Sequence, residues 1–545
     1  MIQMLEVLRQ SALFAELDPS FVAVSGWQLE RLEEGQQLFG EGERADAVFL
    51  VISGVLGLFT GPWTGSNPIF RKVFRGDLVG EYALLCGKPR SASALALTAV
   101  EFVRIPPSGF EALLSHCPGL QRAMVGRLAL QASRGRQENR PAPTTIVVGL
   151  AEAAGGEARA VLRGLLEAVR DHWGSQGGLV LEGLAGEAAL ETQLVEALET
   201  GRPTLCLLDR PADLSPRNRK LIDRLVVIAD GSSCNPLPVG FPWEEVLLVR
   251  AWPRATGQLA TGVGPALDRL PQVINARAGD PLHSQRLMRC VLGIPTVLVL
   301  GGGGARGFAH IGVLAALEEL GSEPIDMVLG VSFGALVASL FAFELPASEV
   351  LAQLERVIIR SRPYTPVLSR RSLFSLQRSY REMRQFFGDA AMHDSWRPFQ
   401  CFSTNLSRNA LHTWTHGELC TAVIASMSIP GVFRPVLDGT GEVHVDGGVL
   451  NNLPVDRARA LTAGRVIAVT LDAEAPPPSG VPSIPKAIVD SMMCASHANS
   501  LQVESQASLM LRPDVCSYSF LDWQSYRQIH AAGYACAQAA LQLCR

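Results

Sequence analysis

The run VLVLGGGGARGFAHIGVLAALEEL (Val297 to Leu320) constrains this chain more than any other segment. Four apolar residues lead into four consecutive glycines, then Arg306 and Gly307, then apolar residues at helical spacing. The pattern predicts strand, tight loop and helix. Glycine is the costliest residue to order, so such a run belongs where backbone bends sharply or approaches another group closely. It contains G-x-G-x-x-G at Gly302, Gly304 and Gly307. A dinucleotide fold also needs an acidic residue ending its second strand. Here Glu318 and Glu319 fall in the helix, and Asp326 begins the next strand rather than ending it. No Gly-Lys-Ser/Thr follows, which excludes a P-loop. Successive N–H groups at a helix N-terminus, free of side chains, suit an oxyanion better.

An oxyanion hole requires a nucleophile. PIDMVLGVSFGALVASLFAF (Pro324 to Phe343) places G-x-S-x-G, Gly330 to Gly334, between a strand-like MVLGV and a helix-forming stretch. A serine on that turn has an exposed Oγ facing the positive end of a helix dipole. Its hydroxyl needs a base. GEVHVDGGVLNNLP (Gly441 to Pro454) supplies a candidate, Asp446, at the end of a short strand and followed by Gly447-Gly448. Asp-Gly is also an ordinary turn pair, so Asp446 acquires significance only beside Ser332 and the glycine run. For a conventional triad, the histidines after Asp446 are His497 and His530. His530 sits in a helix-like segment, and His444, two residues before Asp446, reads as structural.

The chain has 545 residues, 48% hydrophobic and 18% charged, with net charge −4. That length fits about three or four domains, and the balance excludes nucleic acid as main partner. Eleven scattered cysteines without a CxxC pair fit reduced thiols and a cytoplasmic protein. Ten histidines show no ligand spacing, so no metal is expected. The N-terminus lacks an apolar signal core. The uncharged run Met327 to Phe343 is short for a membrane span and contains two glycines. Any membrane contact is expected to be peripheral. RGRQENRPAP (134–143) and AEAPPPSGVPSIP (473–485) read as breaks.

Before the first break, Val/Leu/Phe-rich segments alternate with glycine turns, DAVFLVISGVLGLF being the clearest pair. A small antiparallel barrel follows, with helical patterns on either side. From Thr144 to about Cys290, strand signals (TIVVGL, TLCLLD, RLVVIAD, EVLLVRAW) alternate with helical ones. This implies a parallel sheet covered by helices, read as a structural or interaction domain. RGDLVGEYALLCGKPRSASALAL (Arg75 to Leu97) holds a helix start at Gly80-Glu81 and an arginine nine residues on, Arg90. A helix N-terminus, a bidentate arginine and a carboxylate for a ribose hydroxyl are the contacts a cyclic nucleotide needs. The barrel's two readings are a binding module and an inherited barrel without ligand.

The segment resembles the phosphate-binding cassette of cyclic nucleotide-binding domains. By that resemblance Gly80, Glu81, Ala83, Arg90 and Ser91 are the contacts, and cAMP or cGMP is the ligand. The ordered set G-G-G-x-R-G, G-x-S-x-G and D-G-G, with SMSIPGVFRPV and DGGVLNNLPV, resembles the patatin-like phospholipase family. This implies a three-layer α/β/α fold and a Ser332–Asp446 dyad. The N–H groups of Gly302, Gly303 and Gly304 would be the oxyanion donors. Arg306, Gly307, Gly330, Gly334, Gly447 and Gly448 complete the motif. The fusion of the two resembles the neuropathy target esterase family. The expected layout is a cyclic nucleotide-binding domain (1–135), a Rossmann-like α/β domain (144–290), a patatin-like domain (295–472) and a helical extension packed on it (473–545). The expected activity is lysophospholipid or phospholipid hydrolysis. A non-catalytic scaffold, and phospholipase A or triglyceride lipase specificity, are the alternatives. Arg356 to Phe387 mixes eight arginines with Ile, Leu, Phe and Tyr. It reads either as a solvated helix pair or as a lid meeting an anionic bilayer.

Overall fold

The structure is a computed structural model. It describes residues 27–64, 67, 69–116, 121, 124, 143–151, 154–174, 177–182, 187–200, 202–208, 214–231, 246–257, 259, 272–321, 324–360, 365–366, 374–472 and 484–543. The helical pattern at the N-terminus, nearly all of the 134–143 break and the proline run from 473 to 483 lie outside them.

The N-terminal strands form two four-stranded antiparallel sheets. One orders Gln28–Leu32, Val100–Ile105, Val48–Ser53 and Leu78–Val79; the other orders Gln37–Phe39, Ser93–Ala96, Leu56–Phe59 and Arg71–Val73. Val48–Ser53 and Leu56–Phe59, adjacent in sequence, therefore do not pair with each other. The chain crosses between sheets at Gly54, where φ is +81° and a Cβ would stand 2.2 Å from the Ala99 carbonyl oxygen. Only glycine fits that corner.

Next comes a six-stranded sheet, parallel throughout: Leu179–Leu181, Thr204–Leu208, Thr145–Leu150, Arg224–Asp230, Val246–Trp252 and Gln272–Arg277. Four strands match those predicted. Leu179–Leu181 is too short to announce itself, and Gln272–Arg277 has mixed polarity. The helices Gly156–Trp173 and Pro281–Val291 share one hydrophobic cluster on this sheet. The opposite face packs against the barrel, where Val55, Phe59, Leu95 and Leu97 join Val147, Leu194 and Leu225. Lys72 crosses the same boundary, 2.7 Å from Asp223.

The last sheet has a parallel centre of Phe399–Asn405, Met327–Val331, Val297–Leu300, Val466–Val469 and Leu509–Leu511. Antiparallel strands Val443–Asp446, Val436–Leu437 and Ala410–Trp414 extend it. Strand periodicity is visible in the core: Leu298 and Leu300 face one cluster, Val297 and Val299 the other. Helices Phe308–Leu320, Phe333–Ala342, Leu419–Met427 and Tyr526–Leu543 cover the first face, and Val455–Leu461 the second. This is a three-layer α/β/α sandwich. The segment after residue 473, read from sequence as helical, also contributes the strand Leu509–Leu511.

Register positions the centre of interest. Val331 lies opposite Phe402, and the next residue, Ser403, lies opposite Asp446. Strand Val443–Asp446 thus ends beside the point where the chain leaves Val331 for Ser332.

Candidate active site

Ser332 caps the helix Phe333–Ala342 with φ 54° and ψ −125°. A residue with a Cβ in that region stores roughly 1–3 kcal/mol of strain, tolerated where neighbours over-determine it. Its N–H donates to Ser426 Oγ at 2.9 Å. The glycines at either side serve close packing. A Cβ on Gly334 would stand 2.4 Å from the Leu300 carbonyl oxygen, and one on Gly330 would stand 2.6 Å from Ala335 Cα.

Ser332 Oγ donates to Asp446 Oδ2 at 2.6 Å. The other oxygen, Oδ1, accepts from the Gly448 N–H at 2.8 Å. Gly447 lets the strand end lie against Phe402, whose carbonyl oxygen a Cβ would approach to 2.3 Å. Ser332 and Asp446 are 8% and 5% exposed. Burial pushes the Asp446 carboxyl up to about 6, outweighing the hydrogen bonds from Ser332 and Gly448 that favour its charged form.

None of the candidate triad histidines meets this pair. His530 lies on the terminal helix and His497 is exposed. His444 is buried, with Nδ1 2.9 Å from Ser403 Oγ and Nε2 3.3 Å from Asp438 Oδ2. Asp438, Glu442 and His444 bring ligand-type atoms within 4.8 Å of one another. Asp438 is engaged by the turn N–H groups of Thr440 and Glu442, and Glu442 by Asn405 and Arg408.

The glycine run lies beside the serine. A Cβ on Gly302 would meet Asn452 Oδ1 at 2.4 Å and Ser332 Cβ at 3.2 Å. The three N–H groups differ. That of Gly302 donates, at 3.3 Å, to the Asn452 carbonyl oxygen. Those of Gly303 and Gly304 have no acceptor among the described residues. Asn452 also donates from Nδ2 to the Gly302 carbonyl oxygen at 3.3 Å and to Asp472 Oδ2 at 2.8 Å. It thereby turns the following peptide so that the Gly303 N–H points away. In the sequence Asn452 is one letter of DGGVLNNLPV with no role of its own, and Asp472 carries no local signal at all. His310, one helical turn after the glycines, brings Nε2 to 2.7 Å from the Gly301 carbonyl oxygen. Burial lowers its pKa to about 4, so it is neutral.

Arg306 donates from Nε to the Tyr518 carbonyl oxygen at 2.7 Å. The Ala305 N–H donates to the Phe520 carbonyl oxygen at 2.8 Å. The segment after Leu511 is thus tied across the glycine loop, with Trp523 against Phe333 at 5.8 Å between ring centroids. Gly307 is closed over by Phe333, whose ring a Cβ would approach to 2.1 Å. Part of the arginine-rich segment lies outside the described residues. Its helix Gln377–Phe387 buries Ser379, Met383 and Phe387 and exposes Arg378, Arg381 and Arg384.

In the barrel, Gly80 has φ 85° and precedes the short helix Glu81–Cys86, within which Ala83 is buried. Ser91 is exposed and Glu81 partly so. The Arg90 guanidinium is 3% exposed and donates to the Gly80 and Ala47 carbonyl oxygens, both at 2.8 Å. It lies 4.4 Å over the Phe39 ring. A buried guanidinium must pair its N–H groups, and here Nε lacks a partner among the described residues. In the middle sheet, Asp230 accepts from the N–H groups of Gly155 and Ala158, filling the helix N-terminus where a dinucleotide phosphate would sit.

Residues 298–459 match the family described as patatin-like phospholipase, and residues 29–117 the cyclic nucleotide-binding domain. An uncharacterised NTE family protein of Mycobacterium tuberculosis is 27% identical over 98% of this chain and 96% of its own length. Human patatin-like phospholipase domain-containing protein 6 is 26% identical over 81% of this chain but only 37% of its own. A Phaeosphaeria nodorum protein named lysophospholipase NTE1 is 24% identical over 92% and 41%. Among solved structures, Thermus thermophilus catabolite activator protein is 26% identical, covering 30% of this chain and 72% of that one, with a TM-score of 0.21. The chain thus carries a patatin-like phospholipase domain behind an N-terminal cyclic nucleotide-binding domain, and over nearly its whole length it is similar to proteins of the NTE family.

Proposed function

We propose that this protein is a serine hydrolase of lysophospholipid or phospholipid esters, working through Ser332 and Asp446 without a histidine. The 2.6 Å contact between Ser332 Oγ and Asp446 Oδ2 carries the reading. Asp446 takes the Ser332 proton as Oγ attacks the ester carbonyl carbon. The free N–H groups of Gly303 and Gly304 hold the oxyanion, each donor lowering the barrier by roughly 3–4 kcal/mol. The intermediate collapses, Asp446 returns the proton to the departing alcohol, and an acyl-serine remains. Water then attacks with Asp446 again as base, releasing the fatty acid and restoring Ser332. A carboxyl near pH 6 suits this work, being ionised at neutral pH yet more basic than an ordinary aspartate.

The names of the relatives favour a lipid substrate. The exposed arginines of Gln377–Phe387 are the candidate contact for a peripheral lipid surface. We place the catalytic unit within 295–472, joined by the strand Leu509–Leu511. The barrel's role is regulation by cAMP or cGMP, and such a ligand must draw Arg90 away from two carbonyl oxygens. The test is hydrolysis of a lysophospholipid panel, with and without each nucleotide, beside Ser332→Ala. Turnover lost in that variant supports the reading, and turnover retained rejects it.

A further inference from the structure

Three donor side chains of the helix Pro281–Val291 face the catalytic domain: His283, Arg286 and Arg289, spaced three apart. Each meets a carboxylate bracketing the segment that carries Ser332. Arg289 holds Asp326, the residue before the strand Met327–Val331, in a bidentate pair at 2.8 and 2.7 Å. Beyond the helix Phe333–Ala342 stands Glu344, with φ 63°, a conformation disfavoured for a side chain with a Cβ. Its carboxylate is met by Arg286 at 2.9 Å, Arg277 at 2.6 Å and His283 at 3.3 Å. Burial alone would raise this carboxyl, but the hydrogen bonds from His283 and Arg277 and the charge of Arg286 hold it far below the usual range. The same helix end is capped by Arg397, donating from Nη1 to the Phe341 carbonyl oxygen at 2.8 Å. The buried face of Pro281–Val291 (Leu287, Met288, Val291) sits in the core of the middle sheet.

One helix is therefore fixed to the middle sheet and grips both ends of the strand–turn–helix holding Ser332. Of the three described non-glycine residues with positive φ, two, Ser332 and Glu344, flank the helix Phe333–Ala342. That helix is roughly 15 Å long, a rigid rod between them. We propose that Glu344 is a positioning residue: through its contacts with Arg277, His283 and Arg286, the middle domain sets the axial position of the Ser332 helix. The proposal rests on reading Ser332 as the nucleophile. Displacing the rod misplaces Oγ relative to the Gly303 and Gly304 N–H groups, which lowers turnover more than substrate binding.

The experiment uses the full chain and a soluble ester, 4-nitrophenyl butyrate. Wild type, S332A, E344Q, R286Q and E344Q/R286Q are compared for kcat, KM and rate of fluorophosphonate labelling. The glutamine at 344 keeps the shape and an acceptor oxygen but loses the charge. Thermal melting checks folding. The expected result is about a tenfold fall in kcat and labelling rate for E344Q, with KM within about twofold. R286Q acts in the same direction, and the double variant is no worse than the poorer single one, because both break one clamp. An unchanged kcat in E344Q, multiplicative effects in the double variant, or losses matched in both single variants by a lost thermal transition would overturn the proposal. Unlabelled wild type, or an active S332A, would instead reject the Ser332 reading itself.

Discussion

Replacing Asp446 by asparagine is expected to stop turnover and yet stabilise the fold, by an amount that depends on pH. The carboxyl is buried, and its pKa is raised from the ordinary 3.8 to about 6. A raised folded-state value means the folded protein favours the protonated form. Relative to an aspartate at its unfolded value, the ionised carboxylate costs stability, and the cost appears as pH rises. With 3.8 unfolded and about 6 folded, linkage gives about 3 kcal/mol at pH 8, falling to roughly half that at pH 5. The asparagine side chain would keep an acceptor for the Gly448 N–H and remove the charge. Differential scanning calorimetry of wild type and Asp446→Asn at both pH values measures the effect. At roughly 2–4 °C per kcal/mol for a domain of this size, the variant should melt several degrees higher at pH 8, with a clearly smaller gap at pH 5. A variant no more stable at pH 8, or a gap independent of pH, would refute the argument that burial sets this pKa.

The same group gives an acid limb to catalysis: kcat/KM should fall about tenfold per pH unit below about 6, and a flat profile down to pH 5 would contradict Asp446 as base. Asn452→Ala frees the Gly302 carbonyl and loosens the loop; kcat should drop on the order of tenfold or more with little change in KM, less than the roughly 100- to 1000-fold expected for a whole lost donor. His497→Gln and His530→Gln should leave steady-state rates within about twofold of wild type. Arg90→Leu strands the Gly80 and Ala47 carbonyl oxygens, so urea unfolding followed by tryptophan fluorescence should show a loss of about 2–4 kcal/mol even without nucleotide.

The parts of the fold and site written in short contiguous signals were legible in the sequence. Gly330, Ser332 and Gly334 lie within five residues because strand, turn and helix are local, and Asp446-Gly447-Gly448 marks a strand end for the same reason. That these two points meet depends on register, Val331 opposite Phe402 and Asp446 opposite Ser403, which no window of sequence contains. The inward turn of Arg90 was hidden, since its partners Ala47 and Gly80 offer only backbone carbonyls. Asn452 was visible as a letter in a motif, but its work depends on Gly302 and Asp472, 150 residues before it and 20 after. The grip of the helix Pro281–Val291 on Asp326 and Glu344 has no local signal either, since Arg289 and Asp326 alone lie 37 residues apart.

Whether Ser332 is the nucleophile is decided by peptide mapping of the fluorophosphonate-treated protein, paired with lysophospholipid hydrolysis by wild type and Ser332→Ala. One adduct is expected, on Ser332, with loss of both label and hydrolysis in the variant. An adduct on another residue, or hydrolysis persisting without Ser332, would contradict that role.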